Sequence, residues 1–155
     1  MEFLPEKIEQ YACNHTQEEN IILAELNRET WAKVLIPRML SGHLQGRALS
    51  MFSKMIRPKC ILEIGTYTGY SAICLSEGLQ EGGKLYTIDI NEELKSMSSN
   101  YFEKAGISKN IVQYVGNALE IIPNIKDEFN LVFIDADKEN YKNYFNHSLD
   151  LIDKD

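Results

Sequence analysis

The stretch "CILEIGTYTGYS", residues 60–71, decides the fold. An apolar run ends in the acid Glu63 and turns through Gly65 and Gly69 into a new apolar segment, "SAICLSEGL". The run is short and has no in/out alternation, as a strand buried on both faces requires, and the segment after the turn has helical composition. A strand, a glycine turn and a helix in that order place the turn at a ligand-facing edge of a parallel sheet.

Outward from the turn, the same rhythm repeats. "KLYTID" (84–89), "IVQYV" (111–115) and "FNLVFID" (129–135) read as three further strands, separated by helices. Asn91, followed by Glu92 and Glu93, predicts a helix start, and Gly106 suits that helix's C-terminal cap. Residues 118–122 and 139–152 predict two more helices. Alternating strands and helices define an α/β fold with a mostly parallel sheet covered on both sides. Before residue 58 the chain reads as helical. A helix over 5–13 begins at Pro5, and Thr16 with Glu19 forms a capping box for a second helix carrying Ile22, Leu23 and Leu26. Pro37 should end or kink whatever helix reaches it. Leu44, Ala48, Phe52, Met55 and Ile56 then recur at helical spacing. The expected organisation is one domain over 1–155, with a helical N-terminal cap (1–57) on an α/β cofactor-binding part (58–155).

Composition narrows the function. The 155 residues are 44% hydrophobic and 25% charged, with net charge -7. Such a chain has enough apolar content for a sizeable core, and its acidity argues against a nucleic-acid surface. No apolar run approaches the ~18 residues of a membrane span, and the N-terminus lacks a signal-peptide pattern. Cys13, Cys60 and Cys74 show no zinc or disulfide spacing, so Cys60 and Cys74 are read as core residues in a reducing cytoplasm.

Three strands end in acids: Glu63, Asp89 and Asp135. Asp89 follows Gly65 by 24 residues, near the ~20-residue spacing at which an acid accepts hydrogen bonds from ribose hydroxyls. The alternative is a helix cap, a role for which Asn91 already stands ready. A dinucleotide turn needs G-x-G-x-x-G, so that backbone amides close on a pyrophosphate. Here Tyr67 fills the second glycine's place, and Glu63 would repel a phosphate. A nucleoside with a cationic, amine-bearing tail fits both observations, and S-adenosylmethionine has that chemistry.

"LEIGTYTGYS", "LYTIDIN", "GNALEIIP" and "LVFIDADKENY", in this order and spacing, resemble the cation-dependent O-methyltransferases of the catechol and caffeoyl-CoA type. "PRMLSGHLQGR" (37–47) is similar to the segment before the first strand in bacterial members. The resemblance covers most of residues 18–152 and implies a Rossmann-like class I methyltransferase fold. By the same likeness, Glu63, Gly65, Thr66 and Ser71 match contacts to the methionine part of the cofactor, Asp89 its ribose ligand, and Ala118 a residue flanking the adenine. Ser41 and Asp137 match further cofactor contacts. Asp135 matches a ligand of a divalent cation, Mg²⁺ first, with Ca²⁺ or Mn²⁺ as alternatives. Lys138 matches a general base, the alternative being a surface lysine paired with Asp137 or Glu139.

The chemistry is consistent with that set. Methyl transfer needs a phenolate, and a free phenol has a pKa near ~10. A cation bound to a catechol and a nearby lysine would both help remove the proton. The implied protein is an S-adenosylmethionine-dependent O-methyltransferase acting on a small phenolic or catechol-like acceptor, homodimeric, cytoplasmic, and without nucleic-acid or membrane partners. The alternatives are a Rossmann-type NAD-dependent oxidoreductase and a non-catalytic cofactor-binding module. The family pattern breaks off at "LIDKD" (151–155). Members continue into further strands carrying the other two protein metal ligands. The reading is therefore a truncated chain that binds S-adenosylmethionine yet methylates poorly or not at all.

Overall fold

In a computed structural model, which describes residues 5–152, four parallel strands form one sheet in the order β3-β2-β1-β4. These are β1 (Cys60–Ile64), β2 (Lys84–Asp89), β3 (Ile111–Val115) and β4 (Leu131–Ile134). Glu63 of β1 lies opposite Thr87 of β2 on one side and Phe133 of β4 on the other. All five β1 residues are buried, as a central strand covered on both faces requires.

Alternate β1 side chains feed two cores. Ile61 packs with Leu85 against Leu23 and Leu26 of α2 (Ile21–Lys33), Ile73 and Leu75 of α4 (Tyr70–Ser76), and Tyr101 and Phe102 of α5 (Lys95–Lys104). Cys60, Leu62 and Ile64 pack with Ile88 on the other face, against Ala118 of α6 (Ala118–Ile121), Ile122, Phe129 and Tyr144 of α7 (Tyr141–Leu149). The buried cysteines are both core members, Cys60 in the second group and Cys74 in the first.

The N-terminal layer comprises α1 (Glu6–Asn14), α2 and α3 (Gly42–Ile56). Its predicted capping box does not form. Asn20 caps α2 by accepting from the Leu23 N–H at 2.9 Å. The Thr16 hydroxyl instead donates back to the Ala12 carbonyl at 2.7 Å, and Glu19 accepts the Tyr70 hydroxyl proton. Tertiary demand for Glu19 thus moves the start of α2 to the next capping residue along. Helix α2 stops at Lys33, four residues before Pro37, and the proline instead opens a short 3-10 turn, Pro37–Met39.

Elsewhere the predicted elements shorten. Asn91 caps a 3-10 turn, Glu92–Leu94, that leads into α5. The last helix begins only at Tyr141 because Lys138–Asn140 form another 3-10 turn. The residue stretches 1–4 and 153–155, the second within the "LIDKD" motif, lie outside the described residues.

Candidate functional site

A cavity of about 320 Å³ opens beyond the C-terminal ends of the strands, beside the β1/β4 junction where strand order reverses. Its walls come from the glycine turn, the ends of β2 and β3, the segment after β4, and Met39–Ser41 from the N-terminal layer.

The glycines of the turn serve the protein's own backbone. Gly65 has φ +106°, and a Cβ placed there would stand 2.2 Å from the Asp135 carbonyl oxygen. Its N–H donates to the Ile88 carbonyl at 2.8 Å, so the turn is fixed to both neighbouring strand ends. Gly69, at φ +93°, closes the turn on the Thr66 carbonyl and precedes α4. Only residues without a Cβ reach these conformations and contacts cheaply.

Asp89 lines the cavity with its carboxylate already oriented. Oδ2 accepts the Tyr67 N–H at 2.6 Å and Oδ1 the Asn91 N–H at 2.8 Å. Each oxygen keeps a further lone pair for a ligand hydroxyl. Asn91 caps the next turn by accepting the Glu93 N–H at 2.9 Å.

Glu63 lies behind the turn and is fully buried, outside the cavity lining. The Thr66 and Thr87 hydroxyls stand 2.5 Å apart, and Thr87 in turn donates to Glu63 Oε2 at 2.5 Å. Oε1 has no hydrogen-bond partner among the described residues. Burial, reinforced by Asp135 and Asp89, pushes the carboxyl up to about 7, with Ser71 and Thr87 opposing. Ser71 is near enough to favour the charge but completes no hydrogen bond to Oε1. An unanswered buried carboxylate oxygen is costly unless a cation or donor reaches it.

Gly65, Thr66, Ser71, Ala118, Ser41, Asp135 and Asp137 all line the same cavity as Asp89. Asp137 is oriented from within: Tyr144 donates to Oδ1 at 2.5 Å and Asn140 to Oδ2 at 2.6 Å, which together hold its pKa below the ordinary carboxylate value. Lys138 is exposed and outside the lining, and it forms no ion pair with Asp137 or Glu139 among the described residues. Sequence reasoning missed Tyr144, Met39 and Thr87. Of these, only Thr87, a polar residue inside "KLYTID", left a visible signal.

The donor set for a divalent cation is thin. A hard ion takes about six oxygen ligands. Among the described residues no group of three or more His, Cys, Asp or Glu could hold one. Asp135 alone does not make such a site. S-adenosylmethionine fits better. The oriented Asp89 suits ribose hydroxyls, and the unanswered Glu63 oxygen behind the turn suits a cationic tail and repels a phosphate.

Sheet order, glycine turn and cavity together define a Rossmann-like α/β fold with a ligand site at the strand ends. The O-methyltransferase family model matches residues 13–155, and the chain belongs to that family. It is 37% identical over 131 residues to a caffeoyl-CoA O-methyltransferase of Medicago sativa, covering 81% of this chain and 53% of that protein. With a catechol O-methyltransferase of Niastella koreensis it shares 30% identity over 138 residues, 86% of this chain and 62% of the other. The crystal structure of the O-methyltransferase TomG from Streptomyces achromogenes, in complex with SAM, superposes with TM-score 0.89 at 28% identity, covering 95% of this chain and 67% of that one. The chain spans about half the length of the first of these relatives. The family match displaces the NAD-dependent oxidoreductase alternative.

Proposed function

We propose that this chain binds S-adenosylmethionine in the strand-end cavity and serves methyl transfer to a hydroxyl of a small phenolic, catechol-like acceptor. The observation that carries the reading is the pairing of an oriented Asp89 in the wall with an uncompensated Glu63 oxygen behind the glycine turn. In this reading Gly65, Thr66 and Ser71 receive the methionine part and Glu63 compensates its ammonium. Asp89 takes the ribose hydroxyls and Ala118 flanks the adenine. Ser41 and Asp137 complete the cofactor contacts. When bound, the cofactor supplies an electrophilic methyl that passes in line to the acceptor oxygen, leaving S-adenosylhomocysteine. Lys138, next to the cavity-lining Asp137, takes the acceptor's hydroxyl proton.

The caffeoyl-CoA and catechol names of the relatives support a phenolic acceptor, and the exposed apolar face of α3 supports a homodimer. Calorimetric titration with S-adenosylmethionine tests the core of the reading. Saturable one-site binding that weakens at least about tenfold in Asp89→Ala is expected, the loss of a charge-assisted contact. No binding by the folded chain would overturn it. A second reading, a cofactor-binding module with little transfer, is favoured by the thin donor set around Asp135. Mg²⁺-dependent methylation of a catechol by this chain would exclude it.

A further inference from the structure

The residue between the two halves of the glycine turn makes contacts that the proposed cofactor roles leave unexplained. Tyr67 has φ 48°, a left-handed conformation uncommon for a residue with a side chain. In that conformation its backbone N–H donates to Asp89 Oδ2. Its phenol reaches the other way and donates to the Ile36 carbonyl at 2.9 Å. Ile36 belongs to the strap between α2 and α3, residues 34–41, which brings Met39, Leu40 and Ser41 onto the cavity wall. Next to Tyr67, the buried Thr68 accepts the Thr30 hydroxyl of α2 at 3.2 Å.

Leu40 packs against the core, but most of the strap's other apolar side chains face outward. Leu35 is 97% exposed, Met39 62% and Ile36 51%. Its internal bonds, Met39 N–H to Ile36 and Leu40 N–H to Pro37, shape it without tying it to the sheet. The Tyr67 phenol adds a polar tie from the strap to the glycine turn. Burial raises the phenol's pKa, so it stays protonated and able to donate.

We propose that Tyr67 is a positioning residue that clasps the 34–41 strap over the cavity with its hydroxyl and fixes Asp89 with its backbone, so that strap closure and ribose-acceptor orientation are coupled. The proposal rests on the S-adenosylmethionine reading of the cavity. Strained backbone at functional sites persists where surrounding contacts over-determine it, and Tyr67 is held at both ends.

Hydrogen exchange by mass spectrometry on the full chain tests the clasp, comparing wild type, Tyr67→Phe and Asp89→Ala, each with and without S-adenosylhomocysteine. In the ligand-free Tyr67→Phe chain, amides of 34–41 should exchange about fivefold faster, the worth of one ordinary hydrogen bond. Exchange in β1 and β2 should rise no more than that same factor, and the thermal midpoint should fall by no more than about 4 °C. Affinity for S-adenosylhomocysteine should fall by a similar factor, and Asp89→Ala should loosen the strap as well. Unchanged strap exchange in Tyr67→Phe overturns the clasp, as does a rise in β1 and β2 larger than that in the strap. A strap untouched in Asp89→Ala overturns the coupling. If wild type binds no S-adenosylhomocysteine, the cofactor reading fails, while the ligand-free comparison still decides the clasp.

Discussion

At Glu63 a fully buried carboxyl titrates at about 7, where an unfolded chain would release its proton near 4.5. Between those values the folded state holds a proton that the unfolded state has lost. Stability from this group is therefore full below about 4.5, falls as pH rises to about 7 and is flat above. At ~1.36 kcal/mol per unit the loss is about 3 kcal/mol. Urea unfolding of wild type and Glu63→Gln at pH 5 and pH 8 should show the variant gaining about that much at the higher pH, and equal pH responses would contradict it. A cationic ligand reverses the balance, because it favours the ionised form. Cofactor affinity should then rise with pH toward 7 in wild type and stay flat in Glu63→Gln. Glu63 was legible as the acid of the turn, because a charge at the end of an apolar strand needs a reason. That it backs the cavity wall rather than lining it depends on side-chain packing that spacing does not encode.

Among the elements, α3 and α4 are joined by a compact ionic lock. Glu77, at the end of α4, accepts from Arg47 at 2.6 Å, Ser50 at 2.7 Å and Lys54 at 2.7 Å, all three from α3. Burial would raise the acid, but these donors hold it down to about 2, and the Glu77 carboxylate in turn raises the Arg47 pKa. Glu77→Ala leaves Arg47 buried without its counter-charge and should lower the unfolding free energy by roughly 3 kcal/mol in urea melts. The wild-type advantage should be complete above about 4.5 and shrink as pH falls toward 2, so an advantage that survives in strong acid would refute the lock. Strands were the most readable elements, since short apolar runs between glycines leave few alternatives. Helix starts were less so. Thr16 and Asn20 are both good caps, and the choice between them was made by Tyr70, which lies 51 residues beyond Glu19 and takes its carboxylate. Tyr67 was read only as a residue that blocks a phosphate turn, because its hydroxyl partner lies 31 residues away in another layer.

For the whole molecule, the N-terminal layer covers the sheet on one side and leaves its own outer surface apolar. Met51, Phe52 and Met55 on α3 are 51%, 52% and 74% exposed. Contiguous exposed apolar surface of this kind marks interaction sites. The homodimer proposal predicts that sedimentation velocity finds a dimer at micromolar concentration and that Phe52→Glu with Met55→Lys shifts it to monomer while folding is kept. A monomeric wild type would end that proposal. The contact between Gly65 and the Asp135 backbone sets a limit on how this protein can diversify. The turn and the segment after β4 share one van der Waals surface, with no room for a methyl group between them, so neither can be redrawn alone. Variation that retunes the acceptor has its freedom at the rim instead, at Met39 and Ile90, whose exposed side chains can change size without disturbing the sheet. A selection for new acceptors should collect substitutions there and leave Gly65 as it stands.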